Sequence, residues 1–220
     1  MDGNGRWAKK RGMPRTFGHK AGAEMLRKII DECRNIGIRY VTCYAFSTEN
    51  WKRPSDEVSM LMDLFDRYLD EAAARFDKSR LVFLGDKTAF PDKLRQKMLD
   101  IEKDTAHIEG FTIMLAMNYG GRDEIVRAAR AIAQRAASGD ISPEDIDEDC
   151  IARELYTYPA PDPDLIIRTS GEQRLSNFLM WQSAYSEFYF TDVMWPDFDV
   201  KELHKALEEY THRKRRFGGI

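Results

Sequence analysis

Residues 111–121 read FTIMLAMNYGG, an apolar run that ends in two glycines. Such a run predicts a buried strand from Phe111 to Tyr119. The next residues, RDEIVRAARAIAQRAA at 122–137, repeat apolar side chains at helical spacing and predict a helix. A buried strand that leads directly into a helix is the repeating unit of proteins with parallel sheets. This stretch therefore indicates an α/β fold.

Strand and helix patterns alternate on both sides of this unit. Strands are predicted at 38–46 (IRYVTCYAF), 81–85 (LVFLG), 164–169 (DLIIRT) and 187–191 (EFYFT). Helices are predicted from Leu26 to Ile36, from Pro54 and Ser55 to Phe76, from Pro91 to Ala106, over 142–156 with Ser142 as cap, and over 198–216. The alternation predicts a mostly parallel sheet that helices cover on both faces. No linker divides the pattern, so we expect residues 1–220 to form one domain.

Composition and charge exclude several classes of protein. The chain has 220 residues, of which 43% are hydrophobic, and a net charge of −3. Its first twenty residues carry six bases and one acid, or +5, which leaves −8 for the rest. Because the positive charge is local, we expect no general nucleic-acid-binding surface. No apolar run predicts a membrane span, and three scattered cysteines predict reduced thiols and a cytoplasmic protein.

The basic amino-terminal stretch contains the motif DGNGR. Gly3 and Gly5 allow a tight turn, whose backbone N–H groups can surround an anion. Three nearby side chains add charged or polar donors: Arg6, Arg15 and His19. Asp2 would repel a bare phosphate, but Mg²⁺ could bridge its carboxylate to phosphate oxygens. The alternative is an exposed, solvated turn.

A second candidate stretch, FSTENWKRP at 46–54, follows a predicted strand. It offers hydrogen-bonding groups from Ser47 to Asn50, a broad apolar face on Trp51 and an anion-binding guanidinium on Arg53. This mixture suits a ligand that is charged at one end and apolar at the other. The alternative is a polar connection in which Ser55 caps the next helix.

A third candidate stretch begins at the end of the predicted strand 164–169. Arg168 and Arg174 flank a Ser-Gly turn with Ser176 beside them, and two arginines in one loop suit a second phosphate group. Glu187 lies among aromatic residues, where a carboxylate is either paired or a metal ligand. The alternative is a set of surface ion pairs. The basic tail at 213–220, RKRRFGGI, is either a solvated end or a segment that reaches an anion site of a neighbouring subunit.

Several long motifs together resemble the cis-prenyltransferases, the family of undecaprenyl diphosphate synthase, also called isoprenyl transferase. They are MDGNGRWA, FGHKAG, YAFSTENWKRP, NYGGRDEI, DPDLIIRTSGEQRLSNFLMWQSAYSEFYF, WPDFD and RRFGG, in order along nearly the whole chain. The resemblance implies one layered α/β domain with a central, mostly parallel sheet of about six strands that encloses an apolar tunnel. It implies condensation of isopentenyl diphosphate onto an allylic diphosphate such as farnesyl diphosphate, with Mg²⁺, to give a polyprenyl diphosphate for a cell-wall lipid carrier.

The resemblance also assigns roles to residues of this sequence. Asp2 and Glu187 correspond to metal ligands, and Asp2 and Asn50 to catalytic residues, with Asn50 helping to remove the proton. The residues that would surround the primer diphosphate are Gly3, Asn4, Gly5, Arg6, Arg15, His19 and Arg53. Trp7 and Trp51 would flank the reacting end of the substrate, and Ser47, Thr48 and Glu49 would line the same loop. Those that would bind isopentenyl diphosphate are Arg168, Arg174, Leu175 and Ser176. Arg216 and Gly218 would complete the site of a partner subunit.

The resemblance carries further expectations about the whole protein. It implies a homodimer in the cytoplasm, peripheral to a membrane that it contacts transiently when product is released. Family members carry an apolar strand before the MDGNGRWA motif, so we expect this chain to be truncated at its amino terminus and to lack that first strand. Apolar tunnel walls are expected on Ala23, Leu26, Val58, Met62, Phe65, Leu84 and Ile113, with Phe111 toward the closed end.

Four alternatives remain open from the sequence. A nucleotide or phosphosugar enzyme would need a glycine-rich phosphate loop after a strand, and the sequence has none. A non-catalytic subunit of a heteromeric prenyltransferase would lack the acid or the primer-binding residues. A short-chain cis-prenyl diphosphate synthase would share every motif and differ in product length. A module that binds RNA or a membrane surface conflicts with the sequence pI of about 5.9.

Overall fold

The structure, a computed structural model, describes residues 1–75 and 78–213. In chain order its helices and strands are α1 (Asn4–Lys10), α2 (Arg15–Asn35), β1 (Tyr40–Ser47), α3 (Ser55–Arg75), β2 (Arg80–Leu84), α4 (Asp92–Thr105), β3 (Thr112–Tyr119), α5 (Gly121–Ala137), α6 (Glu148–Glu154), β4 (Leu165–Arg168), β5 (Glu187–Phe190) and α7 (Val200–His212). Four short 3₁₀ turns connect some of them, at Thr48–Lys52, Lys87–Ala89, Pro143–Asp145 and Trp195–Asp197.

These elements form two compact units. The middle unit consists of Arg39–Pro161 and Asn177–Leu179. The terminal unit consists of Met1–Ile38, Asp162–Ser176 and the described part of Met180–Ile220. The terminal unit contains the DGNGR motif and the loop with Arg168 and Arg174, and the middle unit contains FSTENWKRP, so each unit is described in turn.

The middle unit is built on a parallel sheet with the strand order β1, β3, β2. Its central strand β3 is buried along most of its length, as its near-continuous apolar sequence predicts. Helix α4 contributes Leu94, Met98 and Ile101 to the buried core. Because all three strands run in one direction, the segments that follow β1 and β3 leave from the same edge of the sheet.

A buried polar contact joins the end of β3 to the first turn of α5. Glu124 is fully buried, and its carboxylate accepts a hydrogen bond from the Tyr119 hydroxyl. The same carboxylate accepts the backbone N–H of Tyr156 at 2.7 Å, while the Tyr44 hydroxyl donates to the Tyr119 carbonyl at 3.0 Å. These bonds satisfy a carboxylate that would otherwise be costly to bury, and they hold the chain after β3 in place.

The terminal unit packs α1 against α2 and contains the parallel pair β4 and β5. The packing of the two helices depends on Gly18 and Gly22 of α2, because a Cβ atom at either position would collide with Asn4 of α1. The indole N–H of Trp195 donates to the Gly22 carbonyl at 2.8 Å, which ties the 3₁₀ turn before α7 to the same point of α2.

The α/β class and the parallel strands are confirmed, and all five strands predicted from the sequence are present. The arrangement differs from one sheet of about six strands. In the described residues, the five strands form two sheets. Strands β1, β3 and β2 form one, and β4 and β5, whose backbones hydrogen-bond to each other, form the other. The single domain over residues 1–220 stays a prediction.

One local prediction is confirmed in part and another was wrong. Gly3 makes the predicted turn with a left-handed φ of 100°, but Gly5 lies inside α1, which begins at the residue after Gly3. The segment 142–156 is not one helix, because Ile146 is extended with ψ of 108° and interrupts it. Asp147 instead caps α6 by accepting the Cys150 N–H at 2.8 Å.

The remaining helix predictions concern the start of α7, the end of α3 and the length of the helices. Asp199 caps α7, accepting the N–H groups of Lys201 at 2.9 Å and Glu202 at 3.1 Å. Phe76, predicted on the apolar face of α3, lies outside the described residues. No helix in the described ranges has both the length and the apolar character that crossing a membrane requires.

Candidate active site

Asp2 is the centre of a hydrogen-bonded cluster in the terminal unit. Its Oδ2 atom lies 3.2 Å from Arg6 and 3.2 Å from Arg168, and its Oδ1 accepts the Gly3 N–H at 2.6 Å. The backbone of Asp2 is held by the Thr169 and Ser170 hydroxyls, which donate to its carbonyl at 2.9 and 2.8 Å. The first residues of the chain are therefore fixed to the loop that follows β4.

The Asp2 carboxylate is kept ionised by its neighbours. Partial burial alone would raise its pKa, but the hydrogen bond from Arg168, the charge of Arg6 and the Gly3 N–H outweigh burial and lower it. The side chain remains 36% exposed. Asp2 is thus a charged and accessible carboxylate between two guanidinium groups.

The loop after β4 brings Arg168, Arg174 and Ser176 together as predicted. Arg168 donates to the Ser176 hydroxyl at 2.7 Å and to the Arg174 carbonyl, and Leu175 lies half-buried between them. Glu172, which the sequence did not single out, pairs with Arg174 and with Arg6, the latter at 2.9 Å. This acid therefore holds the two more exposed arginines of the cluster.

The predicted primer-binding residues of α1 and α2 lie against each other. The guanidinium of Arg15 approaches Gly5 so closely that a Cβ atom there would be 2.8 Å from its Nε. His19 lies one turn further along α2 and is half-buried, and Asn4 packs against Gly18 and Gly22 as described above. Gly5 is thus a position where the absence of a side chain makes room for a cation.

Trp7 and Glu187 have other partners. The Trp7 indole donates to Asp197 at 2.7 Å, and Arg11 covers its ring at 4.1 Å while pairing with Asp197 at 3.1 Å. Glu187, at the start of β5, pairs with Arg213 at 2.8 Å. No cluster of three or more metal-ligating side chains occurs in residues 1–75 and 78–213, so these residues provide single carboxylates rather than a complete protein cage.

In the middle unit, Ser47 to Asn50 form a capped turn. The Asn50 side chain accepts the Ser47 N–H at 3.2 Å, while the Ser47 side chain accepts the Asn50 N–H. Slight burial would raise the pKa of Glu49, but bonds from its own backbone, Asn177, Ser47 and Thr48 lower it. Asn177 also accepts the Arg122 N–H at 2.8 Å, so it links this turn to the start of α5.

An open groove of about 460 Å³ begins beside this turn. Its apolar lining includes the predicted residues Trp51, Val58 and Met62, together with Pro91. Arg53 contributes to the same lining and pairs with Glu57 at 3.1 Å. Ser55, Ser59 and Asp63 complete the lining, so the groove combines an apolar wall with a guanidinium, a carboxylate and two hydroxyl groups.

Other predicted tunnel residues of the middle unit lie in its core. Leu84, Ile113 and Phe111 are buried, and the ring of Phe65 packs edge-on against Phe46 at 5.9 Å. Ala23 and Leu26 are half-buried on α2 in the terminal unit. Arg216 and Gly218 lie outside the described residues.

The functional residues that sequence reasoning missed are mostly partners of the predicted ones. They are Thr169, Ser170, Glu172, Asn177 and Asn118, of which the last holds Trp51 through a hydrogen bond of 2.8 Å. The motifs NYGG and RTSGEQRLSN contained them all. Their polar side chains, next to the predicted glycines and arginines, could have indicated them. Their partners are distant in sequence, so the contacts themselves could not be predicted.

Known proteins resemble this chain over its whole length. Isoprenyl transferase of Clostridium tetani is 49% identical over 222 residues, which cover 100% of this chain and 87% of that protein. Isoprenyl transferase of Streptococcus thermophilus (strain CNRZ 1066) is 52% identical over 226 residues, covering 100% and 91%.

Solved structures agree in fold. Lavandulyl diphosphate synthase from Lavandula x intermedia, solved in complex with dimethylallyl diphosphate, has a TM-score of 0.95 at 37% identity and covers 100% of this chain and 95% of that one. A probable undecaprenyl diphosphate synthase from Campylobacter jejuni has a TM-score of 0.80 at 36% identity, covering 91% and 93%.

The family model of the undecaprenyl diphosphate synthases matches residues 1–218. Because this match and the identities of about half extend over the whole chain, the resemblance seen in the motifs is confirmed, and the chain belongs to the undecaprenyl diphosphate synthase family of prenyltransferases.

Proposed function

We propose that this prenyltransferase condenses isopentenyl diphosphate with an allylic diphosphate primer such as farnesyl diphosphate, and repeats the step to give a long-chain polyprenyl diphosphate. The observation that carries the proposal is the Asp2 cluster, in which an ionised carboxylate lies 3.2 Å from both Arg6 and Arg168. Arginine guanidinium groups bind diphosphates well, and an ionised carboxylate among them suits a metal–diphosphate complex better than a bare anion.

In this mechanism the arginines stabilise the leaving group. Arg6 and Arg15 hold the primer diphosphate while its bond to the allylic carbon breaks and positive charge develops on that carbon. Arg168, Arg174 and Ser176 orient isopentenyl diphosphate, whose double bond attacks the same carbon and forms the new carbon–carbon bond. A proton then passes from the condensed isopentenyl unit to the released diphosphate, and Asn50, whose amide is oriented by its bond to Ser47, assists this transfer.

Magnesium fits the residues that are present. A Mg²⁺ ion is usually held by one or two carboxylates together with phosphate oxygens and water, and Asp2 is an ionised, accessible carboxylate of this kind. When bound, Mg²⁺ would neutralise charge on the departing diphosphate. Glu187 is the proposed second ligand, and its pairing with Arg213 would have to be exchanged for the metal.

The groove beside Trp51 supports an apolar substrate chain. Its apolar residues Val58, Met62 and Pro91 would cover one side of a growing prenyl chain and reduce the access of water to it. We further propose a cytoplasmic homodimer that contacts a membrane transiently when it releases product for a cell-wall lipid carrier. Arg216 and Gly218 would complete the site of the partner.

One observation favours a second candidate, a short-chain synthase. Lavandulyl diphosphate synthase, with a TM-score of 0.95, was solved with dimethylallyl diphosphate, a smaller allylic molecule than farnesyl diphosphate. The two candidates differ in primer preference and in the length of the product.

Purified protein incubated with labelled isopentenyl diphosphate and either primer tests both candidates. The labelled products are dephosphorylated and separated by length, with and without Mg²⁺. A ladder that extends far beyond the primer supports the long-chain proposal, and products that stop after one or two additions support the second candidate. No incorporation under any of these conditions overturns both and favours a non-catalytic subunit.

A further inference from the structure

Asn118 occupies an unusual position at the carboxyl end of β3. Its φ of 49° is left-handed, and the residue is only 6% exposed. In the ladder between β1 and β3, Phe46 pairs with Met117 and Ser47 with Tyr119, so Asn118 is a bulged residue without a β1 partner. Asparagine tolerates this conformation better than most residues, but a buried, strained polar residue calls for a reason.

The side chain of Asn118 connects two loops. Its Oδ1 accepts the indole N–H of Trp51 at 2.8 Å, and its Nδ2 donates to the Asp86 carbonyl at 2.8 Å. A carbonyl can only accept and an indole N–H can only donate, so the two partners together determine which end of the amide points where. Leucine, aspartate or serine could not make both bonds with this geometry.

The Asp86 end of this connection is itself held by the backbone. The Asn118 carbonyl accepts the Asp86 N–H at 3.4 Å. A Cβ atom at Gly85 would collide with the carbonyls of Met117 and Asn118, so the loop after β2 lies directly against the end of β3. The amide of Asn118 is therefore anchored on one side and directs its other side toward Trp51.

Trp51 links Asn118 to the groove. Its ring packs edge-on against Phe46 at 5.0 Å and tilted against Phe90 at 5.7 Å, and it lines the groove with Val58, Met62 and Pro91. Those aromatic contacts restrain the ring through apolar packing, whereas the bond to Asn118 determines the direction of the indole N–H. Rotation of this ring would change the width of the groove.

We propose that Asn118 is a positioning residue that holds the Trp51 indole in the wall of the groove and thereby sets the affinity for the apolar part of the allylic substrate. This role rests on the proposed function, since it presumes that the groove receives the prenyl chain. In this proposal Asn118 acts only through Trp51 and takes no part in the chemical step.

The indole resonances of the ¹⁵N-labelled protein report the contact directly. The chain has four tryptophans, and the variant Trp51→Phe identifies the resonance of Trp51. In Asn118→Gly, which removes both bonds without backbone strain, we expect that resonance to shift toward the value of a solvent-exposed indole. In Asn118→Asp, which keeps an acceptor for Trp51 but has no amide donor for Asp86, we expect it to stay near its parent position.

Calorimetric titration with farnesyl diphosphate supplies the functional readout. Asn118→Gly should weaken binding about tenfold, the expected effect of one lost hydrogen bond, and Asn118→Asp should weaken it less. In the Trp51→Phe background, Asn118→Gly should cause no further loss, because the contact is already absent. Thr88→Ala is the matched control, since it removes a 2.6 Å bond to Asp86 in the same loop without touching Trp51, and it should change neither readout.

The outcomes separate this inference from the proposed function. If the parent protein neither binds farnesyl diphosphate nor makes product, the proposed function fails, and with it the substrate role of Asn118. If the parent is active but Asn118→Gly leaves the Trp51 resonance or the affinity unchanged, or acts additively with Trp51→Phe, the inference fails while the function stands. If Asn118→Gly does not melt cooperatively, Asn118→Asp is used in its place. If Asn118→Asp weakens binding of farnesyl diphosphate equally in the parent and in the Trp51→Phe background, the loss does not act through the indole and the inference fails.

Discussion

At the residue scale, the charge of Asp2 carries most of the proposed chemistry. Asp2→Asn keeps the size of the side chain and its acceptor for the Gly3 N–H but removes the charge that Arg6 and Arg168 surround. We expect turnover to fall by about a hundredfold or more while the melting curve stays cooperative. Steady-state assays at saturating Mg²⁺ and circular dichroism measure the two. Asp92→Asn, at an acid that is 90% exposed on α4, is the control, and near-parent activity of Asp2→Asn would contradict the assignment.

The two diphosphate sites can be separated by single arginines. Arg168 contacts Asp2, so its replacement would disturb both sites. The Arg174 side chain pairs with Glu172 instead and is the cleaner probe. Arg174→Ala should raise the KM for isopentenyl diphosphate about ten- to hundredfold, and Arg15→Ala should do so for the primer. Kinetics with each substrate varied in turn provide the measurement. If both variants raise the same KM, the division of the loops is wrong.

At the element scale, the entry to β3 offers a test of chain-length control. Phe111 immediately precedes β3 and is 6% exposed, and its carbonyl accepts the Arg80 N–H at 3.0 Å. If its ring closes the tunnel, Phe111→Ala should lengthen the products, and the cavity should lower the free energy of unfolding by about 3–5 kcal/mol. Chromatography of dephosphorylated products measures length, and denaturant unfolding measures stability.

A second cavity variant controls for the loss of packing. Phe198→Ala removes a ring that is 1% exposed in the terminal unit, where it stacks on Trp195. It should destabilise the protein comparably and leave the product lengths unchanged. An unchanged distribution in a folded, active Phe111→Ala variant would mean that Phe111 only fills the core.

The elements that could be predicted are those with a strong local signal. All five strands follow from runs of apolar residues that are β-branched, aromatic or both, and α5 follows from its helical spacing after Gly121. Helix α1 was not predicted, because Gly5 is a poor helix former and the packing of α1 against Gly18 and Gly22 cannot be read from its own seven residues. The site divides in the same way. Single loops were predictable, whereas the contacts of Asn118 and Asn177 depend on left-handed backbone and distant partners.

At the scale of the whole molecule, the free energy of unfolding should decrease at acidic pH. A hydrogen bond from Lys97 lowers the pKa of Asp66, and one from Arg174 lowers that of Glu172, in the same direction as for Asp2 and Glu49. The unfolded chain therefore binds more protons than the folded one near and below the ordinary carboxyl pKa. Stability is present above that range and is lost as the pH falls through it.

Melting temperatures measured between pH 7 and pH 3 test this dependence. We expect a plateau from pH 7 to about pH 5 and a decline below pH 4. Burial raises the pKa of Asp162, so this residue should stabilise the folded chain as the pH falls. Its effect should be outweighed by the carboxyl groups whose pKa is lowered. A melting temperature that stays constant or rises toward pH 3 would contradict the prediction.

The buried pair of Tyr119 and Glu124 has a consequence for alkaline spectroscopy. Burial, the charge of Glu124 and the hydrogen bond to it raise the pKa of Tyr119 far above that of an exposed phenol, and burial also raises that of Tyr156. The chain has nine tyrosines, so an ultraviolet titration of the phenolate band should stop short of nine while the middle unit is intact. The part of the missing absorbance that belongs to Tyr119 should appear only when β3 and α5 separate, which makes Tyr119 an intrinsic chromophore for the unfolding of that part of the molecule.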